Sequence, residues 1–153
     1  ARLQVIVQER VPVLTISPSE KVPPIAFFAK GGKLIGREYM PLDKSFKTTL
    51  VLSYGVRGDD YHVWDKNKIK LIQKIAAAVQ ESSHEPVQYV DCRRPNDVFV
   101  KIPTANLRIG EIDDTMFSRI ARISSILPQI RTLDKKIKYI DLRWKDANYI
   151  KLN

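Results

Sequence analysis

The alternation of apolar and polar residues predicts short strands along much of the chain. Near the start, Leu3, Val5 and Val7 recur at every second position, which is the period-two pattern of a strand. Ile6 makes the other face of this strand partly apolar as well. Two glycines at 30–33 predict a tight hairpin turn, because glycine supplies the positive φ that such turns need. Further extended segments are predicted at 11–16, 25–29, 34–35, 48–52, 87–92, 98–102, 107–109, 138–144 and 149–153.

Two segments instead carry the 3.6-residue period of amphipathic helices. Asp65 is expected to cap the first helix, which extends to about Ser82. Asp113 or Asp114 is expected to cap the second, and Pro128 lies just past its end or kinks its last turn. Their apolar faces are formed by Ile69, Ile72, Ala76 and Val79 and by Met116, Ile120, Ile123 and Leu127.

The order of these elements predicts an α+β fold. Several strands precede the first helix, three strands separate the helices, and two strands follow the second helix. Most connections are short enough for hairpins, so we expect a largely antiparallel or mixed sheet with two main helices. We see no internal repeat in the sequence.

The last predicted strand, at 149–153, is expected to form an open edge of the sheet. A strand at the end of a chain often leaves one row of its N–H and C=O groups unpaired. Such a row can accept an extended segment of another protein. The hydrophobic pattern therefore suggests that this edge is the working surface.

Composition fits one soluble domain, or one domain and a fragment of another. The chain has 153 residues and a net charge of +9, and a positive surplus attracts nucleic acid, anionic lipid or acidic protein surfaces. The single cysteine, Cys92, excludes an internal disulfide. We expect a small strand residue here; the alternative is a reactive thiol, because the cations of Arg93 and Arg94 would lower its pKa.

No segment can serve as a membrane span or a signal peptide. The longest apolar run is at 25–29, whereas a membrane helix needs about 20 apolar residues. A strand-like pattern begins almost at Ala1. We therefore expect a piece of a longer protein, with targeting information upstream.

Catalytic and cofactor motifs are missing from the sequence. Gly31 and Gly36 have phosphate-loop spacing, but Arg37 and Glu38 follow where that loop needs Lys and Ser or Thr. The two histidines are far apart and have no neighbouring cysteine or carboxylate cluster, so they do not predict a zinc site. We therefore expect that the protein is not an enzyme, has no catalytic residue and binds neither a cofactor nor a metal.

A basic nucleic-acid-binding domain is the alternative function. Lys66, Lys70 and Lys74 form a helical stripe that is either a solvated face or a phosphate-contacting one. Arg119 and Arg122 could also contact phosphate, although no helix-turn-helix accompanies them and the RNA-recognition signature is missing. A module that binds anionic membrane surfaces is a third option.

Four short motifs occur along the chain in an order that resembles one protein family. The pattern L-x-V-x-V-x-E-R-x-P-V at 3–13 is similar to the end of the POTRA domain in the bacterial cell-division proteins FtsQ and DivIB. I-D-L-R at 140–143, followed by a closing strand, is similar to the end of their β domain. K-G-G at 30–32 and L-R-I-G at 107–110 occupy the places of a hairpin and of a strand that leads into the second helix. Lys30 and Val51 depart from the family, which often has an acidic residue and a proline there.

The resemblance implies a non-enzymatic scaffold of the divisome. Residues 1–16 would be the last strand of a truncated POTRA domain and 17–153 the β domain. The full-length protein would have one N-terminal membrane helix, absent here, and would lie on the periplasmic face of the inner membrane. It would bind FtsB/DivIC-like, FtsL-like and other divisome proteins to regulate septal wall synthesis. The implied partner-binding residues are Arg143, Trp144, Tyr149, Ile150, Lys151 and Leu152.

The orientation of Trp144 decides whether it can contact a partner. If it shares the buried face of its strand with Ile140 and Leu142, then Tyr139, Asp141 and Arg143 face outward. The sequence alone leaves both the core position and the contact position open.

Overall fold

The computed structural model describes residues 11–36, 47–55, 64–133, 135–144 and 149–152. The predicted strand at Leu3–Val7 lies outside these ranges. The strands are β1 (Pro12–Ser17), β2 (Ala26–Ala29), β3 (Leu34–Gly36), β4 (Thr49–Leu52), β5 (Tyr89–Asp91), β6 (Val98–Lys101), β7 (Asn106–Gly110), β8 (Ile137–Asp141) and β9 (Tyr149–Leu152). The helices are α1 (Lys66–Ser83), α2 (Met116–Ala121) and α3 (Ile123–Ile130).

The nine strands of the described residues form one mixed sheet. Their order is β3-β2-β1-β4-β5-β6-β7-β8-β9. The pairs β1/β4, β4/β5 and β7/β8 are parallel, and the other five are antiparallel. The predicted α+β class is confirmed.

The first helix follows its prediction closely. The Asp65 side chain accepts a hydrogen bond from the Lys68 backbone N–H at 2.8 Å, which satisfies a donor that the helix itself leaves unpaired. The helix ends at His84, which has a left-handed φ of 59° and donates its N–H to the Gln80 carbonyl. Its apolar stripe, including Ile69, Ile72 and Val79, is fully buried.

The second helix is bent into two segments, α2 and α3, which meet at Arg122. Neither Asp113 nor Asp114 is its N-cap; that position belongs to Thr115. The Asp113 carboxylate instead accepts hydrogen bonds from the Thr115 N–H and hydroxyl, at 2.9 and 2.8 Å, so it is consumed in the turn before the helix. Pro128 lies inside α3.

One apolar row crosses the sheet from β1 to β9. Each of its members lies directly opposite the next one on the neighbouring strand. The helices cover the face of the sheet on which this row lies. Each fully buried aliphatic side chain contributes about 1.5–3 kcal/mol of transfer free energy, so the row anchors the core. It consists of Ile16, Val51, Val90, Val100, Leu107, Ile140 and Ile150.

The fold contains an internal repeat that the sequence reading missed. A first unit (β4, α1, β5, β6) and a second unit (β7, α2, α3, β8, β9) have the same order of strand, helix and hairpin. In each, the first strand pairs in parallel with the first strand of the hairpin. The motif Y-V-D-C-R at 89–93 returns fifty positions later as Y-I-D-L-R at 139–143. Different helix lengths hide the relationship, since α1 has 18 residues whereas α2 and α3 have 6 and 8.

Hydrogen bonding and register confirm that the two units match. The Cys92 N–H donates to the Leu52 carbonyl at 2.8 Å, and the Leu142 N–H donates to the Arg108 carbonyl at 2.9 Å. Leu142 thus takes the place of Cys92, and β7 takes the place of β4. The hairpins have the same register: Tyr89↔Lys101, Val90↔Val100 and Asp91↔Phe99 match Tyr139↔Lys151, Ile140↔Ile150 and Asp141↔Tyr149.

Candidate interaction edge of the sheet

Strand β9 forms one end of the sheet, as its hydrophobic pattern and position predicted. It pairs with β8 on one side, and no strand of the described residues pairs with its other side. We call this outer side the β9 edge (residues 149–152). The opposite end of the sheet is the three-residue strand β3.

Ile150 directs its backbone N–H and C=O outward from the β9 edge. The Leu142 N–H donates to the Arg108 carbonyl, so the backbone groups of Leu142 face β7. Backbone direction alternates along a strand, and the N–H and C=O of the preceding residue, Asp141, therefore face β9. Asp141 lies opposite Tyr149, so Tyr149 forms the bonded pair with it. Backbone direction alternates along a strand, and the groups of Ile150 therefore point away from the sheet.

The Ile150 side chain lies at the rim of an apolar groove. It is partly buried against the main core. The groove has a volume of about 440 Å³, and Leu133 at its rim is 47% exposed. Its other lining residues come from α3: Ser125, Ile126, Gln129 and Ile130.

A buried ion pair holds the end of β8. The Asp141 carboxylate accepts hydrogen bonds from the Arg143 backbone N–H at 3.0 Å and from its guanidinium at 2.7 and 2.9 Å. Arg108 adds a second cation, at 4.0 Å. Burial would raise the pKa of Asp141, but these hydrogen bonds and the two positive charges hold it below its ordinary value. Asp141 is therefore ionised at neutral pH even though it is only 2% exposed.

The ion pair continues away from the edge through Arg108. The Arg108 guanidinium binds the Asp97 carboxylate at 2.7 and 2.9 Å, and this contact raises the pKa of Arg108. It also lies 5.5 Å from the centre of the Phe99 ring and 5.9 Å from that of Tyr139. The chain of charges thus links the turn after β5 to the end of β8.

Arg122, at the bend between α2 and α3, fixes the chain that leaves β8. Its guanidinium donates to the carbonyls of Leu142 and Trp144, the latter at 2.5 Å. Arg119 similarly donates to the carbonyls of Ile109 and Glu111, at 3.1 and 2.7 Å. Both arginines, for which the sequence left phosphate contact open, bind the chain's own backbone.

Trp144 is not part of the core. Ile140 and Leu142 are buried, at 1% and 0% exposure, whereas Trp144 is 57% exposed. Strand β8 ends at Asp141, because Arg122 draws the following carbonyls toward the helices, so the alternation does not reach Trp144. The predicted strand 138–144 is thus too long, and the alternative of an exposed Trp144 is the correct one.

The residues implied by the resemblance fall into two groups. Arg143 and Trp144 lie together in the turn after β8, where the Arg143 guanidinium lies 5.6 Å from the indole ring. Ile150 lies in β9 at the rim of the groove. For Tyr149, Lys151 and Leu152 the structure describes the backbone position in β9. Their role in partner binding stays a prediction.

Sequence reasoning missed the residues that position this edge: Arg108, Gly110, Arg122 and Asp141. The repeated D-x-R spacing could have revealed Asp141, because the second residue after a carboxylate can return to it with both N–H and side chain. Arg122 gave no such signal, since its two acceptors are 20 and 22 positions away along the chain.

Other candidate chemistry is not assembled in the structure. Within the described ranges there is no group of three or more residues able to hold a metal ion, and none of their helices has the length and apolarity needed to cross a membrane. Cys92 is buried, which raises the pKa of its thiol to about 11. The alternative of a reactive thiol is therefore wrong.

Comparisons with known proteins give no identification. No model of a known protein family matches the chain, and neither does any curated protein. The similarity to FtsQ and DivIB therefore rests on the motifs quoted above, and the fold supplies the geometry on which a function can be argued.

Proposed function

We propose that this chain is part of a non-enzymatic scaffold of the bacterial divisome that binds other division proteins through the β9 edge. The scaffold lies on the periplasmic face of the inner membrane and belongs to a longer protein with one membrane helix. Its partners are FtsB/DivIC-like and FtsL-like proteins, and its task is to regulate septal wall synthesis. The ordered FtsQ/DivIB-like motifs support this proposal.

One observation carries the proposal: within the part of the chain that the structure describes, no strand pairs with the outer side of β9. An extended partner segment can add a tenth strand, with main-chain hydrogen bonds giving affinity and side chains giving specificity. Each hydrogen bond contributes only about 1 kcal/mol net, so apolar contacts in the groove beside Ile150 are needed as well. Arg122 and the Asp141–Arg143 pair hold the chain where it leaves β8, at residues 141–144.

A proline substitution at one position of β9 tests the proposal. Ile150→Pro removes the outward N–H and leaves the β8–β9 bonds intact, since edge strands tolerate proline where the N–H faces solvent. Ile150→Ala is the matched control, because it also truncates the side chain but retains the N–H. Calorimetric titration with the periplasmic parts of the FtsB/DivIC-like and FtsL-like proteins should show binding by Ile150→Ala and about ten-fold weaker binding by Ile150→Pro. Equal affinities of the two variants would contradict the proposal.

The alternative of a nucleic-acid-binding domain is favoured by one observation. Lys66, Lys70 and Lys74 are exposed on α1, and the net charge is +9. Such a surface would bind oligonucleotides with an affinity that falls steeply with salt. Micromolar binding at physiological salt that is lost on charge reversal of these lysines would establish it.

A further inference from the structure

The internal repeat gives β9 a counterpart whose outer side is already occupied. Strand β6 ends the hairpin of the first unit, as β9 ends that of the second, and Val100 matches Ile150 in register. By the same alternation that applies to Ile150, Val100 directs its N–H and C=O away from its own hairpin. In the first unit these groups face β7, where Leu107 lies directly opposite.

Val100 and Ile150 differ in how completely the surrounding structure buries them. Val100 and Leu107 are both 0% exposed, because β6 and β7 each have a strand on both sides and the helices cover this face of the sheet. Ile150 is only partly buried and lines an open groove beside α3. Among the described residues, no strand stands beside the hairpin of the second unit as β7 stands beside that of the first.

We infer that the segment bound at the β9 edge imitates β7: it runs antiparallel to β9, in the β6–β7 register, and presents a polar, an aliphatic and a cationic residue in that order. This inference rests on the proposed function only in taking β9 as the binding edge. The pattern is that of Asn106, Leu107 and Arg108, which lie opposite Lys101, Val100 and Phe99. Transferred to the second unit, these positions lie opposite Lys151, Ile150 and Tyr149.

The aliphatic residue of the partner faces the groove. Leu107 lies on the helix-covered face of the sheet, and a residue opposite Ile150 points to the same face. There it meets the apolar surface of Ile126, Ile130 and Leu133. Burying one such side chain supplies the affinity that backbone hydrogen bonds alone do not provide.

The cationic residue lies on the other face, beside an aromatic row. Arg108 is placed over the rings of Phe99 and Tyr139, at 5.5 and 5.9 Å. The equivalent partner position is opposite Tyr149 and next to the strand that carries Tyr139. At the place that Asp97 has in the first hairpin, the sequence of the second hairpin has Ala147, with Asp146 beside it. The partner's cation is thus placed as Arg108 is in the first unit, on the face of the sheet opposite the helices.

Disulfide trapping tests direction and register together. The protein carries Lys151→Cys, and the probe is a peptide of residues 104–111 of this chain with Asn106→Cys. In the β6–β7 register these two positions form a non-hydrogen-bonded pair, whose close Cα spacing suits a disulfide. The protein and the peptide are equilibrated with reduced and oxidised glutathione, and the disulfide between position 151 of the variant and the peptide is measured. Its yield should be about ten-fold higher than expected for two thiols that do not bind each other. The buried Cys92 does not compete, and circular dichroism checks that the variant is folded.

Two control peptides separate the alternatives. The first carries Arg108→Cys, which would lie opposite position 151 only in a parallel arrangement. The second carries Asn106→Cys with the residues of positions 107 and 108 exchanged, so that the aliphatic and cationic side chains change faces. Both should be trapped about ten-fold less than the matched peptide. Equal trapping of all three, or stronger trapping of the parallel peptide, would overturn the inference.

The outcome is distinguishable from the test of the proposed function. If the division proteins discriminate Ile150→Pro from Ile150→Ala but the matched peptide is not preferred, the β7-like pattern fails and the scaffold function stands. If the matched peptide is preferred but the division proteins ignore Ile150, the pattern stands and the scaffold function fails.

Discussion

The Arg143 side chain lies directly over Gly110, so close that a Cβ on Gly110 would come within 2.8 Å of the Arg143 Cγ. Gly110 also has a φ of +86°, a conformation that side-chain-bearing residues rarely adopt. The end of β7 and the turn after β8 therefore depend on one residue without a side chain.

Gly110→Ala should destabilise the fold by about 2 kcal/mol or more, since strained backbone and steric contact add. Gly31→Ala is the matched control, because nothing lies within 4 Å of its added Cβ and its φ is not positive. Urea unfolding followed by circular dichroism measures both variants. A Gly110→Ala midpoint equal to that of Gly31→Ala would contradict the steric argument.

Asp141→Asn should weaken partner binding, and Asp91→Asn should not. Each carboxylate accepts a hydrogen bond at 2.7 Å from the guanidinium of the arginine two residues later, Arg93 or Arg143. Only Asp141, however, lies beside the β9 edge. The loss of a charged hydrogen-bond acceptor costs about 2 kcal/mol, and less for Asp91, whose side chain is 17% exposed against 3% for Asp141. Calorimetric titration with the division partners, at a temperature where both variants are folded, separates binding from stability. Equal loss of affinity in the two variants would remove Asp141 from the site.

The ion pair of Asp141 predicts a loss of stability at acidic pH. Its pKa is lower in the folded state than its ordinary value, so the folded state binds the proton less readily than the unfolded state does. The stabilisation is therefore complete above the unfolded pKa of about 3.9 and disappears as the pH falls through the lower folded value. Urea midpoints from pH 6 to pH 2.5 should fall less steeply below pH 4 for Asp141→Asn than for the unchanged protein. Parallel curves would show that Asp141 does not contribute.

Arg122→Lys should loosen the turn after β8 while preserving the charge. A lysine ammonium cannot reproduce the fork by which Arg122 binds the carbonyls of Leu142 and Trp144. We expect stability to fall by about 1–2 kcal/mol and hydrogen exchange in β9 to accelerate. The control is Arg94→Ala, which removes an exposed cation from the equivalent turn of the first unit. Unchanged exchange in β9 of Arg122→Lys would show that Arg122 does not position the edge.

Local patterns predicted most of the elements that the structure describes. Asp65 was recognised as a cap because its hydrogen bond spans only three positions. The hairpin of β5 and β6 was recognised because two strands joined by a short turn can only pair with each other in an antiparallel arrangement. The predicted cap at Asp113 or Asp114 was wrong for an equally local reason, since Asp113 closes a turn with Thr115 that delays the helix.

The candidate site was predicted only in part. The sequence indicated β9 as an edge strand, but it left Trp144 between core and surface. It also could not pair Arg122 with carbonyls 20 and 22 positions away. The repeat escaped notice because only five residues of each unit share a motif, whereas the match lies mainly in register and hydrogen bonding.

The sequence by itself determined where strands and helices form, since hydrophobic periodicity, capping and turn chemistry act over a few residues. Only the tertiary structure decided that β7 covers β6 while no strand of the described residues covers β9, because strand pairing joins residues that are distant along the chain. Arg143 and Gly110 are likewise far apart along the chain, as are Arg122 and Trp144, and their contacts fix the chain where it leaves β8.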